Sequence, residues 1–241
     1  MNKRKLNRFE VLNDPSATLL LILLLSADMV HIILHVVNSL APALNNRMLN
    51  LTLDVSYAEW YQYIKFFFLT ILVIKLAFKK EPLRYLIWAG IFAYLLLDDS
   101  LEIHGKVGGY IAINMIEGVT PPFGLRLEDI GSLAISALVG VLIIIALGIA
   151  YWKGSKRFRT ITHDFILLMI LMVFFGVFFD MVHVIVKGGK AVELIFGIIE
   201  DGGEMFTASL MLWYAFLIST SKDEELSIWK SLRGTSGSKS Q

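Results

Sequence analysis

The amino-acid sequence predicts an all-α integral membrane protein with six transmembrane helices. Of its 241 residues, 56% are hydrophobic and only 18% are charged, and the mean hydropathy is +0.66, which is too apolar for a soluble domain of this length. A helix needs about 20 apolar residues to cross the hydrocarbon core of a bilayer. Stretches of that kind lie at residues 17–38, 60–78, 83–104, 129–152, 163–187 and 193–219.

The basic residues around these stretches predict the orientation of the protein. The first stretch follows a basic segment, but its Asp28, His31 and His35 favour a retained helix over a cleaved signal peptide. Lys and Arg are concentrated before the first stretch, in every second connection and after the last, which predicts that both termini are cytoplasmic. The residues concerned are Lys3, Arg4, Lys5, Arg8, Lys79, Lys80, Arg84, Lys153, Lys156, Arg157, Arg159, Lys222, Lys230, Arg233 and Lys239.

The chain divides into a transmembrane domain, residues 1–221, and a cytoplasmic tail, residues 222–241, whose Ser- and Gly-rich end is expected to be disordered. The connection between the third and fourth predicted helices, residues 105–127, contains paired Gly and paired Pro but is apolar between 110 and 116. An interfacial or re-entrant lid is therefore expected there rather than a free loop.

A short motif, Asp-Met-Val-His, occurs twice, at residues 28–31 and 180–183. Both copies lie inside apolar stretches, where ionisable residues are costly and usually functional. A carboxylate and an imidazole three residues apart share one face of a helix. Since metal sites commonly combine these two groups, the repeated pair indicates metal ligation.

A second motif, acid-Asp-x-x-Glu, also occurs twice, at residues 98–102 and 200–204. The two copies lie on predicted helices that run in opposite directions, so shared chemistry explains the recurrence better than gene duplication. So many carboxylates at one depth of a membrane must be neutralised by protons or metal ions. Lys65 is expected either to reach the outer interface or to offset this acidic layer.

The position of each polar residue along its helix, and the face of the helix on which it lies, place both motifs in the outer half of the bilayer. The motifs belong to the first, third, fifth and sixth predicted helices. These four helices would form a polar core. The predicted metal ligands are Asp28, His31, Asp99, Glu102, Asp180, His183, Glu200 and Glu204. The candidates for bridging or supporting roles are His35, Asp98, Asp201 and Lys187. His104 points away from this sector and lies near a helix end, beside Gly105, so it is expected to lie outside the site.

The predicted ligand set resembles that of carboxylate-bridged di-iron and di-manganese helical bundles, in which two helices supply carboxylates and two supply Glu-x-x-His pairs. Here Asp replaces Glu in both His pairs. The chain contains no cysteine, so thiolate sites and iron–sulfur clusters are excluded. The resemblance implies two divalent transition-metal ions, with iron or manganese favoured and zinc as an alternative.

The function predicted first is therefore a di-iron-type membrane oxidoreductase that acts on a lipid or another apolar substrate. The first alternative is a metal-dependent hydrolase of lipid ester or amide bonds, in which the metal activates a water molecule. The second is a cation or proton transporter or channel, ranked third because the acids occupy one layer instead of a path across the membrane. The formal net charge of +1 gives no indication of nucleic-acid binding.

Overall fold

The computed structural model describes residues 14–41, 46–79, 82–115, 126–186 and 188–220. Within those ranges 91% of the residues are helical and none lies in a β-strand, so the all-α prediction is confirmed. The helices are α1 (Pro15–Leu40), α2 (Tyr57–Lys79), α3 (Pro82–Leu101), α4 (Ile103–Met115), α5 (Leu127–Lys153), α6 (Lys156–Val173), α7 (Asp180–Ile185) and α8 (Lys190–Thr220). A π-helical segment, Phe174–Phe179, joins α6 to α7.

Four of the described helices are long and apolar enough to cross a membrane, and they are Pro15–Leu40, Tyr57–Phe78, Leu127–Lys153 and Lys156–His183. The other two predicted spans fall on α3 and α8, whose apolar sequences are interrupted by the two acid-Asp-x-x-Glu motifs. The structure thus supports a helical bundle with membrane-compatible helices. Six spans and two cytoplasmic termini stay predictions, since residues 1–13 and 221–241 lie outside the described residues.

Polar side chains fix where several helices begin. The Asp14 carboxylate accepts hydrogen bonds from the backbone N–H groups of Ser16 and Ala17 at 2.9 and 3.2 Å, and Pro15 occupies the first turn, where its missing N–H does no harm. At the start of α5, Asp129 accepts from the backbone N–H of Arg126 at 2.8 Å. Asp129 therefore stabilises the N-terminus of α5.

The helix α8 lies at the centre of the bundle and packs against α1, α2, α6 and the π-helical segment. At the end of the bundle away from the acidic motifs, its Tyr214 joins an aromatic core with Trp88, Phe92 and Phe165 from α3 and α6. These rings are almost fully buried and hold the helices at fixed spacing. The acidic residues of α8 lie three to four turns away, near its first half.

The helices α4 and α5 pack closely through Gly108 and Gly131, where an added Cβ on either residue would overlap the backbone of the other helix. Most of the apolar side chains of α5 remain exposed, including Leu138, Val141 and Ile144. An apolar helix that buries so little of itself against protein is typical of a helix that faces lipid. The residues described as α4 fall in the connection that was expected to form a lid.

The third predicted helix does not continue to residue 104. Glu102 has a φ of 52°, a left-handed conformation that non-glycine residues rarely adopt, and it separates α3 from α4. The break turns His104 back toward α3, where its backbone N–H and its ring nitrogen Nδ1 both contact the Asp98 carboxylate. The prediction that His104 points away assumed a continuous helix and is wrong for that reason.

Candidate functional site

A cavity of about 110 Å³ lies where α2, α3, α8 and the segment before α2 meet. Among the residues that the structure describes, its lining contains five carboxylates and no Lys, Arg or His side chain. We call it the acidic cavity. It is lined by Leu51, Thr52, Leu53, Asp54, Ala58, Glu59, Gln62, Asp99, Asp201, Glu204 and Met205.

Gln62 is the central neutral residue of the acidic cavity and is only 7% exposed. Its amide nitrogen Nε2 donates to the Oε2 atom of Glu204 at 3.2 Å, and the side chain also interacts with Asp99. Its carbonyl oxygen Oε1 is buried and has no hydrogen-bond partner among the residues that the structure describes. Since buried acceptors are nearly always satisfied, this oxygen is available to a ligand, a water molecule or a cation in the cavity.

The side of the acidic cavity formed by α2 is held by Glu59 and Tyr63. Tyr63 donates its hydroxyl to the Glu59 carboxylate and also contacts the backbone carbonyl of Asp99 at 3.2 Å. The backbone N–H of Val55 donates to Glu59 as well. These bonds join the segment before α2 to the end of α3, so the positions of Asp54 and Asp99 are fixed relative to each other.

The opposite side is shaped by the π-helical segment. A Cβ added at Gly176 would overlap the Glu204 carboxylate, so the absence of a side chain at this position leaves room for that group. Similarly, a Cβ at Gly203 would meet the ring of Phe175. A π-helical turn inside an α-helix is rare and often marks a functional site. Here α8 packs against the π-helical segment with the Glu204 carboxylate between them.

A buried ion pair lies one helical turn further along α2 and α8. Lys65 donates from Nζ to Asp28 at 2.9 Å, to the backbone carbonyl of Met205 at 2.8 Å and to Ser209 at 3.3 Å. Ser209 in turn donates to the other Asp28 oxygen at 2.6 Å. Lys65 and Asp28 are 1% and 3% exposed. Every polar atom of this group has a partner, and the charges cancel.

Two His–carboxylate pairs lie at the same end of the bundle as the acidic cavity. The Nδ1 atom of His183 is 3.0 Å from Glu200, and the Nδ1 atom of His104 is 3.0 Å from Asp98. Asp180 interacts electrostatically with both histidines. We call these five side chains the histidine cluster.

The structure separates the predicted ligands into several groups. Asp99 and Glu204 line the acidic cavity together with Asp201, which was predicted in a supporting role. Asp180, His183 and Glu200 belong to the histidine cluster, as does Asp98 from the supporting set. The eight predicted ligands therefore do not surround a single point.

The remaining predicted residues lie elsewhere. Asp28 is bound to Lys65, and His31 stacks on Tyr61 with ring centroids 5.2 Å apart. Glu102 is exposed and pairs only loosely with Lys106, at 3.7 Å, because the break in α3 turns it outward.

The two remaining candidates for supporting roles are His35 and Lys187. The Nδ1 atom of buried His35 accepts the backbone N–H of Leu51 at 3.1 Å. Lys187 lies outside the described residues. Among the residues that the structure describes, no group of three or more His, Asp or Glu side chains is arranged to hold a metal ion directly.

Two of the five carboxylates of the acidic cavity, Asp54 and Glu59, and its amide side chain, Gln62, were not predicted from the sequence. Glu59, Gln62 and Lys65 are spaced three residues apart, which places them on one face of α2. A signal was therefore present in this helix, of which only Lys65 was connected with the acidic residues. Asp54 precedes α2, and no periodic pattern indicates that it folds against α3 and α8.

Comparison with protein families gives one match, a family described as a domain of unknown function (DUF8692), over residues 17–220. The match covers well over half of the chain. The protein belongs to the DUF8692 family. No curated protein and no solved structure matches the chain. The acidic cavity, the buried ion pair and the histidine cluster all lie within the DUF8692 domain, so the site is built entirely by the part of the chain that defines the family.

Proposed function

We propose that this protein is an integral membrane protein whose acidic cavity binds a divalent cation. The observation that carries the proposal is the set of five carboxylates around one cavity, whose lining contains no basic side chain in the described part of the chain. Carboxylates close together in a region of low dielectric constant repel one another and must be neutralised by protons or by cations. A cation is favoured because Gln62 also offers the same space a buried oxygen atom that bonds to none of the described residues.

The chemistry of the lining favours a hard cation such as Mn²⁺, Mg²⁺ or Ca²⁺. All of its charged ligands are oxygen atoms, and oxygen-rich sites suit these ions better than softer ones. Mg²⁺ and ions of similar size often keep several water ligands and use only one or two carboxylates directly. A partly hydrated ion is therefore consistent with a cavity large enough for several water molecules and with side chains that do not converge on one point.

The more specific proposal, a di-iron or di-manganese oxidoreductase acting on a lipid or apolar substrate, requires histidine and carboxylate ligands to act together. The nearness of the histidine cluster to the acidic cavity supports it, since the adjacent residues Glu200 and Asp201 belong to different clusters. Metal-dependent oxygen consumption with apolar substrates would test it. Metal-dependent product formation under strict anaerobiosis would instead support the alternative hydrolase.

Membrane insertion with the acidic cavity toward the outer side and both termini cytoplasmic is part of the proposal. Because the chain has no cysteine, a single introduced cysteine shows directly on which side of the membrane its position lies. Arg47→Cys, at the acidic end, should react with a membrane-impermeant thiol reagent on intact cells. Lys153→Cys, at the end of α5, should react only after the membrane is opened. The reverse pattern would contradict the orientation.

Transport of a cation or of protons is the second candidate, and one observation favours it. Beyond the acidic cavity, α8 contributes Ser209 to the buried Asp28–Lys65 pair and then Tyr214, whose hydroxyl donates to buried Asp164 at 2.7 Å. Glu204, Ser209 and Tyr214 are each five residues apart, about 7.5 Å along the helix. Polar groups therefore continue beyond the acidic layer, toward the opposite end of the bundle.

Titration of the detergent-purified protein with Mn²⁺, followed by electron paramagnetic resonance, tests the cation proposal. Wild-type protein should bind Mn²⁺, and Glu204→Gln and Asp99→Asn should each lose most of the binding because they remove a charge without changing side-chain size. Glu102→Gln is the matched control, since Glu102 is exposed and points away from the cavity. Equal binding by all four proteins would overturn the proposal.

A measurement of cation or proton flux in proteoliposomes distinguishes transport from simple binding. Asp164→Asn should reduce cation or proton flux and leave Mn²⁺ binding unchanged if the polar groups along α8 form a path. Flux that is absent in the wild-type protein, with Mn²⁺ binding retained, would exclude transport and leave the cation-binding proposal intact.

A further inference from the structure

One wall of the acidic cavity is formed by a short segment, residues 50–56, which we call the strap. Leu51, Thr52, Leu53 and Asp54 of the strap line the cavity, and the other described lining residues belong to α2, α3 and α8. Four of the five carboxylates therefore lie on helices, whereas Asp54 lies on a segment that is neither α-helix nor β-strand. Such a segment moves at a lower free-energy cost than a packed helix, so the strap is the part of the lining best able to move.

Both ends of the strap are fixed. At its start, the backbone N–H of Leu51 donates to the Nδ1 atom of buried His35 at 3.1 Å, and the buried Leu51 side chain packs with Met205 of α8. At its end, Ser56 is almost fully buried, and its hydroxyl accepts a hydrogen bond from the backbone N–H of Glu59 at 3.3 Å. The middle of the strap is thus held between two anchors.

The middle of the strap rests on α8 through Thr52 and Gly197. A Cβ added at Gly197 would overlap the methyl group of the Thr52 side chain, so the absence of a side chain on α8 lets the strap approach this closely. Thr52 and Asp54 are themselves exposed, so little buried apolar surface opposes their movement. We call the position in which Thr52 contacts Gly197 the seated position.

Val55 connects the middle of the strap to the start of α2. It has a φ of 64°, a left-handed conformation that is costly for a β-branched residue. Strain of this kind is often found in segments that switch between positions. The backbone N–H of Val55 donates to the Glu59 carboxylate, which lines the same cavity. A displacement of that carboxylate would therefore reach the strap directly.

The charge on the strap has the same sign as the charge on the helix beneath it. Asp54 interacts electrostatically with Asp201 of α8, and the cavity that they share has no basic side chain among the described lining residues. Lys65 does not supply the missing charge, because its ammonium group is bonded to Asp28. Two carboxylates repel each other and push the strap away from α8, whereas a cation between them attracts both.

We propose that the strap is a lid over the acidic cavity, which a bound cation holds in the seated position through Asp54. The inference rests on the proposed cation site and adds control of access to it. An ion behind the seated strap is released only when Thr52 leaves Gly197. Asp54 thus differs in role from the carboxylates on the helices, because it moves with the lid and couples the position of the lid to the presence of the ion.

Hydrogen–deuterium exchange of the full-length protein in detergent, followed by mass spectrometry, measures opening of the strap. Peptides that contain residues 50–56 should exchange about tenfold more slowly with saturating Mn²⁺ than without metal, while peptides from α6 should exchange equally in both. Mn²⁺ binding is measured on the same samples by electron paramagnetic resonance. Bound Mn²⁺ with unchanged exchange in the strap would overturn the lid alone. No bound Mn²⁺ would overturn the cation site and the lid with it.

Asp54→Asn tests the role of charge without any metal, since it removes the charge and keeps the side-chain size. In the metal-free protein, the strap of this variant should exchange about tenfold more slowly than that of the wild type, after correction for the intrinsic exchange rates of the altered sequence. Mn²⁺ should then slow it little further. Glu102→Gln, which alters an exposed acid outside the cavity, is the matched control. Equal or faster exchange in Asp54→Asn would contradict the proposal.

Gly197→Ala tests the seated position itself, because the added methyl group displaces Thr52. The strap of this variant should exchange faster than that of the wild type, and bound Mn²⁺ should be released about tenfold faster on mixing with excess chelator. Gly148→Ala is the matched control, since a Cβ there meets no atom within 4 Å. Release from Gly197→Ala at the rate of the wild type and of the control would show that the strap does not control access.

Discussion

The buried ion pair and the acidic cavity lie side by side along α2 and α8, with Asp28 of the pair on α1 and Asp99 of the cavity on α3. The charges of the ion pair neutralise each other, whereas the carboxylates of the cavity face no basic side chain among the described residues. Asp28 and Lys65 are almost completely buried, and each of their polar atoms is bonded. One turn away, Glu204 and Asp99 share a cavity with three further acids, and the side-chain oxygen of their neutral neighbour Gln62 has no partner within the described ranges. The first arrangement is complete without a ligand, whereas the second is not, which is why we place the functional centre in the cavity.

The largest expected effect comes from breaking the ion pair. Lys65→Met leaves the Asp28 carboxylate buried without a cation, and it should destabilise the protein by about 3–5 kcal/mol. Thermal unfolding in detergent, measured by circular dichroism, should show a clear fall in midpoint. Asp28→Asn combined with Lys65→Met removes both charges and should recover much of the loss. A single variant as stable as the wild type would contradict the interpretation of this pair as structural.

Glu204→Gln should have the opposite effect on stability. Removing one of several repelling carboxylates should stabilise the metal-free protein by about 1 kcal/mol, while the rise in unfolding temperature that Mn²⁺ gives the wild-type protein should disappear. Unfolding with and without Mn²⁺ measures both quantities on one sample. If Glu204→Gln destabilised the metal-free protein instead, Glu204 would have a structural role comparable to that of Asp28.

Gly176→Ala is expected to have the smallest effect on stability, while it weakens Mn²⁺ binding selectively. The added Cβ overlaps only the end of the Glu204 side chain, which can rotate away, so the free energy of unfolding should change by less than about 1 kcal/mol. The displaced carboxylate should nevertheless weaken Mn²⁺ binding about tenfold. Gly140→Ala, where a Cβ meets no atom within 4 Å, is the matched control and should bind normally.

The sequence predicted the helical fold because the apolar stretches are long and separated by charged residues. Four of the six predicted spans each fall within one observed helix, whereas the third crosses the break at Glu102 and the fifth crosses the π-helical segment. The sequence also singled out Asp99, Glu204 and Asp201, which share the acidic cavity. These residues project inward from α3 and α8, where a regular helical period correctly relates spacing to facing.

The rest of the site depends on departures from that regular period. The left-handed residue Glu102 redirects His104 and turns Glu102 itself outward, and the π-helical segment shifts the facing of every residue that follows it in α7. Neither the left-handed conformation of Glu102 nor the π-helical segment can be derived from the spacing of residues in the sequence. The partnership of Lys65 with Asp28 joins residues 37 positions apart, and only the packing of α1 against α2 and α8 reveals it.

Metal content is the measurement that tests the central claim most directly. The wild-type protein and an Asp99→Asn/Glu204→Gln double variant would be dialysed against Mn²⁺, freed of unbound ions and analysed by inductively coupled plasma mass spectrometry. We expect stoichiometric Mn²⁺ in the wild type and its loss from the double variant, with both proteins folded by circular dichroism. The same Mn²⁺ content in both, or none in either, would contradict the assignment of the acidic cavity as a cation site.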